Sequence, residues 1–141
     1  MAHGLRMRDV MSGEVHGISE EASLLAAAEA MVERRINSLV VWPTERDEPY
    51  GILTSSDVVD ALADGLDLER TQVADLKHTP LVLVTPGVRV QDAARMMMRL
   101  NLRHLAVFNG KTIVGVVSNF DLMAAAVKAV RPQPVREALA R

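Results

Sequence analysis

There is no cysteine among the 141 residues. Disulfides, thiolate zinc sites and thiol nucleophiles are thereby excluded, and the composition suits a reducing cytoplasm. Aromatic residues make up only 3% of the chain, too few to build stacking platforms for single-stranded nucleic acid. Sixteen Lys and Arg against eighteen Asp and Glu leave a net charge of −2, whereas a general nucleic-acid binder is strongly basic. No apolar run approaches the ~20 residues of a membrane-spanning helix. The N-terminus, Met1-Ala2-His3-Gly4-Leu5-Arg6-Met7-Arg8, lacks the apolar core of a signal peptide. The expectation is a cytoplasmic protein without a membrane partner.

Chemistry-bearing clusters are also scarce. The four histidines, His3, His16, His78 and His104, do not pair at helical metal-ligand spacing, so no metal site is expected. There is no Gly-rich phosphate loop and hence no sign of nucleotide hydrolysis. Asp57 and Asp121 find no nucleophile or acid–base set to work with, so the chain is not expected to be an enzyme. Arg95, Arg99 and Arg103 follow one another at i, i+4, i+8. For the first two, a solvated helix face is the simplest reading.

What is present is a duplication. Asp9 pairs with Asp75, Ala27 with Ala93, Met31 with Met97 and Val41 with Val107, each 66 positions apart (75 − 9, for example). Gly51 pairs with Gly115 and Asp57 with Asp121, now 64 apart, because two residues are lost in the loop between Trp42 and Gly51. Two copies of a unit of roughly 60 residues, each at the lower limit of independent stability, are expected to share a core and to frame equivalent clefts.

Each copy reads β-α-β-β-α. Short strands are expected at Val15–Ile18 and Leu81–Val84. Leu24, Ala27, Ala28 and Met31 lie at i, i+3, i+4, i+7, as do Val90, Ala93, Ala94 and Met97. Both are stripes of amphipathic helices. Further strands are expected at Ser38–Trp42, Tyr50–Leu53, His104–Phe108 and Thr112–Val117. Asn109-Gly110 marks a tight hairpin turn. Closing helices follow at Ser56–Asp64 and Asn119–Val130, with Gly65 a natural stop. Residues 1–6 are expected to be a flexible terminus, 7–66 the first repeat, 67–72 a linker, 73–130 the second repeat and 131–141 a tail.

The two closing motifs are Gly51-Ile52-Leu53-Thr54-Ser55-Ser56-Asp57 and Gly115-Val116-Val117-Ser118-Asn119-Phe120-Asp121. A Gly inside a strand pattern points to a bulge or a close backbone approach. Ser/Thr-x-x-Asp before an apolar run is also a capping box, in which Thr54 and Ser118 pair with Asp57 and Asp121. The same helix start presents free N–H groups and the positive end of the helix dipole to an anion. Capping and ligand binding therefore both remain open at these four residues.

With the Asp9-Val10-Met11 opening, the Ala-x-x-Met helices and the strands ending Leu39-Val40-Val41 and Leu105-Ala106-Val107, these closers resemble a tandem pair of CBS domains. These are the regulatory modules first named from cystathionine β-synthase, here as a stand-alone Bateman module. The resemblance covers roughly residues 7–130. It implies a mixed α/β fold of two repeats related by a pseudo-two-fold axis, and a homodimer formed through helical faces. It implies no cofactor, but an adenosine-containing regulatory ligand (AMP, ADP, ATP or S-adenosylmethionine) in the inter-repeat clefts. Asp57 and Asp121 would then accept from ribose hydroxyls, and Thr54 and Ser118 would sit by the phosphates. Ile52 and Val116, with Val15-His16 and Leu81-Val82, would line the adenine slot. Arg103-His104 and their counterparts Asn37-Ser38 would stand at the strand mouths near the phosphates, the basic pair favouring more phosphate. The regulated partner protein is not identified by the resemblance. A partner-binding scaffold with empty clefts is the chief alternative, and nucleic-acid binding through Arg95, Arg99 and Arg103 a lesser one.

Overall fold

In the computed structural model, residues 4–131 are described. The first repeat runs α1 (Met7–Val10), β1 (Gly17–Ser19), α2 (Leu24–Arg34), β2 (Ser38–Trp42), β3 (Gly51–Thr54) and α3 (Ser55–Ala63). A 3-10 turn at Val73–Asp75 takes the place of α1 in the second, followed by β4 (Leu83–Val84), α4 (Val90–Leu100), β5 (His104–Phe108), β6 (Ile113–Ser118) and α5 (Asn119–Val130). Two three-stranded sheets result, ordered β1-β2-β3 and β4-β5-β6. In each, the first pair is parallel and the second antiparallel.

The local reasons are those of the sequence. Ser23 caps α2 by accepting the Ala26 N–H at 3.0 Å. Helices α2 and α4 end at repeat-equivalent residues, Arg35 and Asn101, both left-handed at φ 54°. Asn tolerates that conformation better than Arg. Asn109 Oδ1 accepts the N–H groups of Lys111 and Thr112, each at 2.9 Å, and Gly110 takes φ 100° to close the hairpin.

The first strands are shorter than the apolar runs imply. Val15, His16, Leu81 and Val82 precede β1 and β4 rather than lying in them. Single backbone bonds still hold His16 and Val82, whose carbonyls accept from Val40 and Ala106 at 2.9 Å. Parallel pairing with β2 and β5 begins only at Gly17 and Leu83. The remaining element bounds move by at most one residue.

In space the chain forms two compact units, and neither coincides with a sequence repeat. One comprises residues 15–81, the other residues 4–14 with 82–131. Met7 lies fully buried among Val84, Val90, Leu105, Val117 and Leu122. Its equivalent, Val73, fills the same place among Leu24, Leu39, Leu53 and Val58. Each short turn therefore completes the core of the other repeat. The expected linker, residues 67–72, is tied to the first repeat: Leu68 packs on the second of these cores, and the carbonyls of Leu68 and Thr71 accept from Leu25 and Leu24 at 2.9 and 2.8 Å.

The glycines that open the two closing motifs mark the crossing. At Gly115 an added Cβ would stand 2.8 Å from the Ser12 carbonyl oxygen, and at Gly51 3.1 Å from that of His78. Close backbone approach is observed at both glycines, and a bulge also lies beside Gly115, where the β5–β6 register shifts between Val107 opposite Gly115 and Phe108 opposite Ile113.

Among the described residues, one buried ion pair has no counterpart in the other unit. Glu20 accepts from the Lys77 ammonium and, at 2.8 Å, from the Thr44 N–H. Position 86, equivalent to Glu20, is Pro. The Lys77 ammonium first, then the hydroxyl and N–H of Thr44, hold the Glu20 carboxyl down to about 2 from an ordinary value near 4.5. A depressed carboxyl stabilises the fold above its unfolded value and loses that contribution as pH falls through its folded one. The urea midpoint of the wild type is therefore expected to fall more steeply between pH 4.5 and 2 than that of Glu20→Gln. Parallel curves for the two proteins would remove this role.

Candidate functional site

The site is built at the strand-to-helix junctions. In one unit β2 and β3 pair so that Ser38 faces Thr54, and the Asn37 carbonyl accepts the Ser55 N–H at 2.9 Å. In the other, His104 faces Ser118, and the Arg103 carbonyl accepts the Asn119 N–H at 2.9 Å. Each mouth thus brings together the pair that ends the loop after α2 or α4 and the first turn of α3 or α5. Arg103 is exposed and His104 half-buried; Asn37 is exposed and Ser38 half-buried.

The carboxylates sit at the third position of their helices and reach back. Asp121 Oδ2 accepts the Ser118 N–H at 2.8 Å, while the Ser118 hydroxyl accepts the Asp121 N–H at 3.1 Å. Asp57 Oδ2 accepts both the N–H and the hydroxyl of Thr54, at 2.7 and 3.1 Å. Capping is therefore real at both junctions, and it engages one oxygen of each carboxylate. The other oxygen differs. Asp57 Oδ1 lies 2.7 Å from His78 Nε2, a contact that sequence reading missed because the partners are 21 residues apart with no shared pattern. Among the described residues, Asp121 Oδ1 makes no hydrogen bond to protein.

Ile52 is buried and Val116 half-buried, each with its backbone pinned by the crossing segment. Ile52 and His78 exchange two backbone bonds, at 2.9 and 2.8 Å, and the Ser12 N–H donates to the Val116 carbonyl at 3.2 Å. Val15, His16 and Leu81 belong to the unit of Ile52, and Val82 to that of Val116. His16 is engaged by Arg34, its Nδ1 lying 3.1 Å from the guanidinium.

Asp121 also borders a cavity of about 530 Å³ within its own unit, between α1 and α5. Asp9 and Lys128 add charge to its wall, and Leu5, Val10 and Ala125 make it apolar. Ser118, Val116, Arg103 and His104 do not line it. In the sequence Asp9 stands out only as part of the repeated opening, and Lys128 carries no pattern that marks it. Among the described residues, no group of three or more His, Asp or Glu is placed to hold a metal ion, and no helix is long and apolar enough to cross a membrane.

Comparison with known proteins agrees with this architecture. The chain is 29% identical over 116 residues to Hypoxic response protein 1 of Mycobacterium tuberculosis, covering 82% of this chain and 80% of that one. With uncharacterized protein MJ1225 of Methanocaldococcus jannaschii it shares 27% identity over 83% of its own length, but spans only 41% of that protein. The hexameric CBS-CP12 protein from bloom-forming cyanobacteria superposes with a TM-score of 0.82 at 29% identity, over 92% of this chain and 76% of that one. The CBS domain protein PAE2072 of Pyrobaculum aerophilum, solved in complex with AMP, superposes with a TM-score of 0.74 at 23% identity, over 89% and 98% of the two chains, a likeness of fold. The CBS-domain family model matches twice, over residues 7–64 and 73–128. Two copies of one α/β unit, each closing on a strand-to-helix junction that carries an aspartate, place this chain in the CBS-domain family.

Proposed function

We propose that this chain is a regulatory module, not a catalyst, that binds an adenosine-containing nucleotide at its strand-to-helix junctions. The observation that carries the reading is the duplicated junction. Each copy sets a carboxylate and a hydroxyl residue at a helix start, and at Asp121 one carboxylate oxygen is left without a donor among the described residues. An ionised carboxylate only accepts, which suits the two donors of a ribose diol. The helix N-terminus beside Ser118 suits a phosphate. The AMP held by the Pyrobaculum protein is consistent with this fold accommodating such a ligand.

On this reading Asp57 and Asp121 take ribose, Thr54 and Ser118 the phosphates, and Ile52 and Val116 flank the base. Arg103 supplies the fixed, always-charged fork that Asn37 and Ser38 lack. Calorimetric titration with adenosine, AMP and ATP tests it. Asp121→Ala is expected to weaken AMP roughly ten- to a hundred-fold, as loss of a hydrogen bond to a charged group does. Arg103→Ala is expected to cost ATP more than adenosine. If Asp121→Ala melts lower yet binds AMP normally, the carboxylate only caps its helix.

We also propose a homodimer. Phe120, Met123, Val127 and Val130 are exposed at i, i+3, i+7 and i+10 on α5, the spacing of one apolar seam. A second copy offers the matching stripe. Light scattering at tens of micromolar is expected to give the dimer mass for the wild type and the monomer mass for Met123→Glu. A monomeric wild type would refute it.

A further inference from the structure

We propose that His78 is a latch on Asp57: it occupies the carboxylate oxygen that a ribose would need, so the first-half junction accepts a nucleotide only when His78 swings away. The inference rests on the nucleotide reading above and adds the control of one of its two junctions.

The geometry is specific. Asp57 Oδ2 already accepts twice from Thr54, and Oδ1 accepts from His78 Nε2 at 2.7 Å. A carboxylate partner requires that Nε2 carry the proton. Asp57 is only 8% exposed, whereas the His78 side chain is 67% exposed. The histidine therefore forms the solvent side of the contact and covers the carboxylate. Its backbone is clamped to Ile52 by the reciprocal bonds described above. The imidazole can rotate away while the main chain stays in register.

The other half lacks the device. The residue equivalent to His78 is Ser12, since 78 − 12 is the repeat spacing of 66. Its hydroxyl turns to the Glu14 carbonyl at 3.4 Å, and Asp121 keeps an oxygen without a protein donor among the described residues. Repeat-equivalent junctions thus present one carboxylate covered and, among the described residues, one open. An adenosine 5′-phosphate fills the Asp121 junction first, and the Asp57 junction only in competition with His78.

The test is calorimetry with AMP on the full chain. Wild type is expected to show one tight site per chain, lost in Asp121→Asn. Adding His78→Ala to wild type is expected to reveal a second site. Adding it to Asp121→Asn is expected to raise the remaining affinity roughly ten-fold, the scale of one hydrogen bond to a charged group. His78→Leu, which keeps bulk but cannot donate, serves as a second variant should His78→Ala fold poorly, and is expected to act the same way. If Asp121→Asn removes tight binding but neither His78 change raises AMP affinity, the latch is wrong and the nucleotide reading stands. If neither wild type nor the His78 variants bind AMP, the nucleotide reading falls and takes the latch with it.

Discussion

Met7→Ala is expected to destabilise the protein by about 2–5 kcal/mol, the range for truncating a buried methionine where the surroundings cannot collapse. Met7 is fully buried, and its N–H donates to the Val88 carbonyl at 2.8 Å. The other buried residues of the core it fills all lie beyond position 80, among them Val84, Val90, Leu105 and Val117. If the segment around Met7 merely preceded its own repeat, truncation there would cost a few tenths of a kcal/mol, as at an exposed surface position. Urea unfolding followed by far-ultraviolet dichroism separates the two outcomes. A loss below 1 kcal/mol would mean that residues 4–14 do not complete the second-repeat core.

Gly115→Val is expected to cost about 1–3 kcal/mol, the usual penalty for forcing atoms into a filled space. A Cβ there would meet Met11 Sδ at 2.7 Å and the Ser12 carbonyl oxygen at 2.8 Å. The methionine end can move aside; the backbone oxygen cannot without disturbing the Ser12 N–H bond to Val116. Gly13→Ala is the matched control. Nothing lies within 4 Å of its added Cβ, so it is expected to change stability by no more than about 0.5 kcal/mol. Equal effects at the two positions would show that the crossing segment does not lie against β6 as described.

These two variants bear on how much of the molecule the sequence discloses. The helices were legible because their apolar residues recur at 3.6-residue spacing, and α2, α4 and α5 lie where Leu24–Met31, Val90–Met97 and the Ser118-x-x-Asp121 box indicate. The central strands were legible for a similar local reason, as runs of Leu, Val and Ala bounded by turn residues. Family membership followed from the order of those elements, since the pattern is written twice. The first strands were less so, because two or three paired residues leave no periodicity to read.

What the sequence by itself determined is therefore the set of elements, their duplication and the chemistry at each junction: Gly, two aliphatics, a hydroxyl and an Asp. Only the tertiary structure decided which repeat each short turn completes, that Lys77 meets Glu20, and that one of two equivalent aspartates is covered by His78 while the other borders a cavity. The physical reason is range. Caps, stripes and turns join residues three or four apart and leave a spacing in the chain. Met7 in its core, His78 on Asp57 and Lys77 on Glu20 join residues 21 to more than a hundred positions apart, and are set by which surfaces remain to be buried once the local elements have formed.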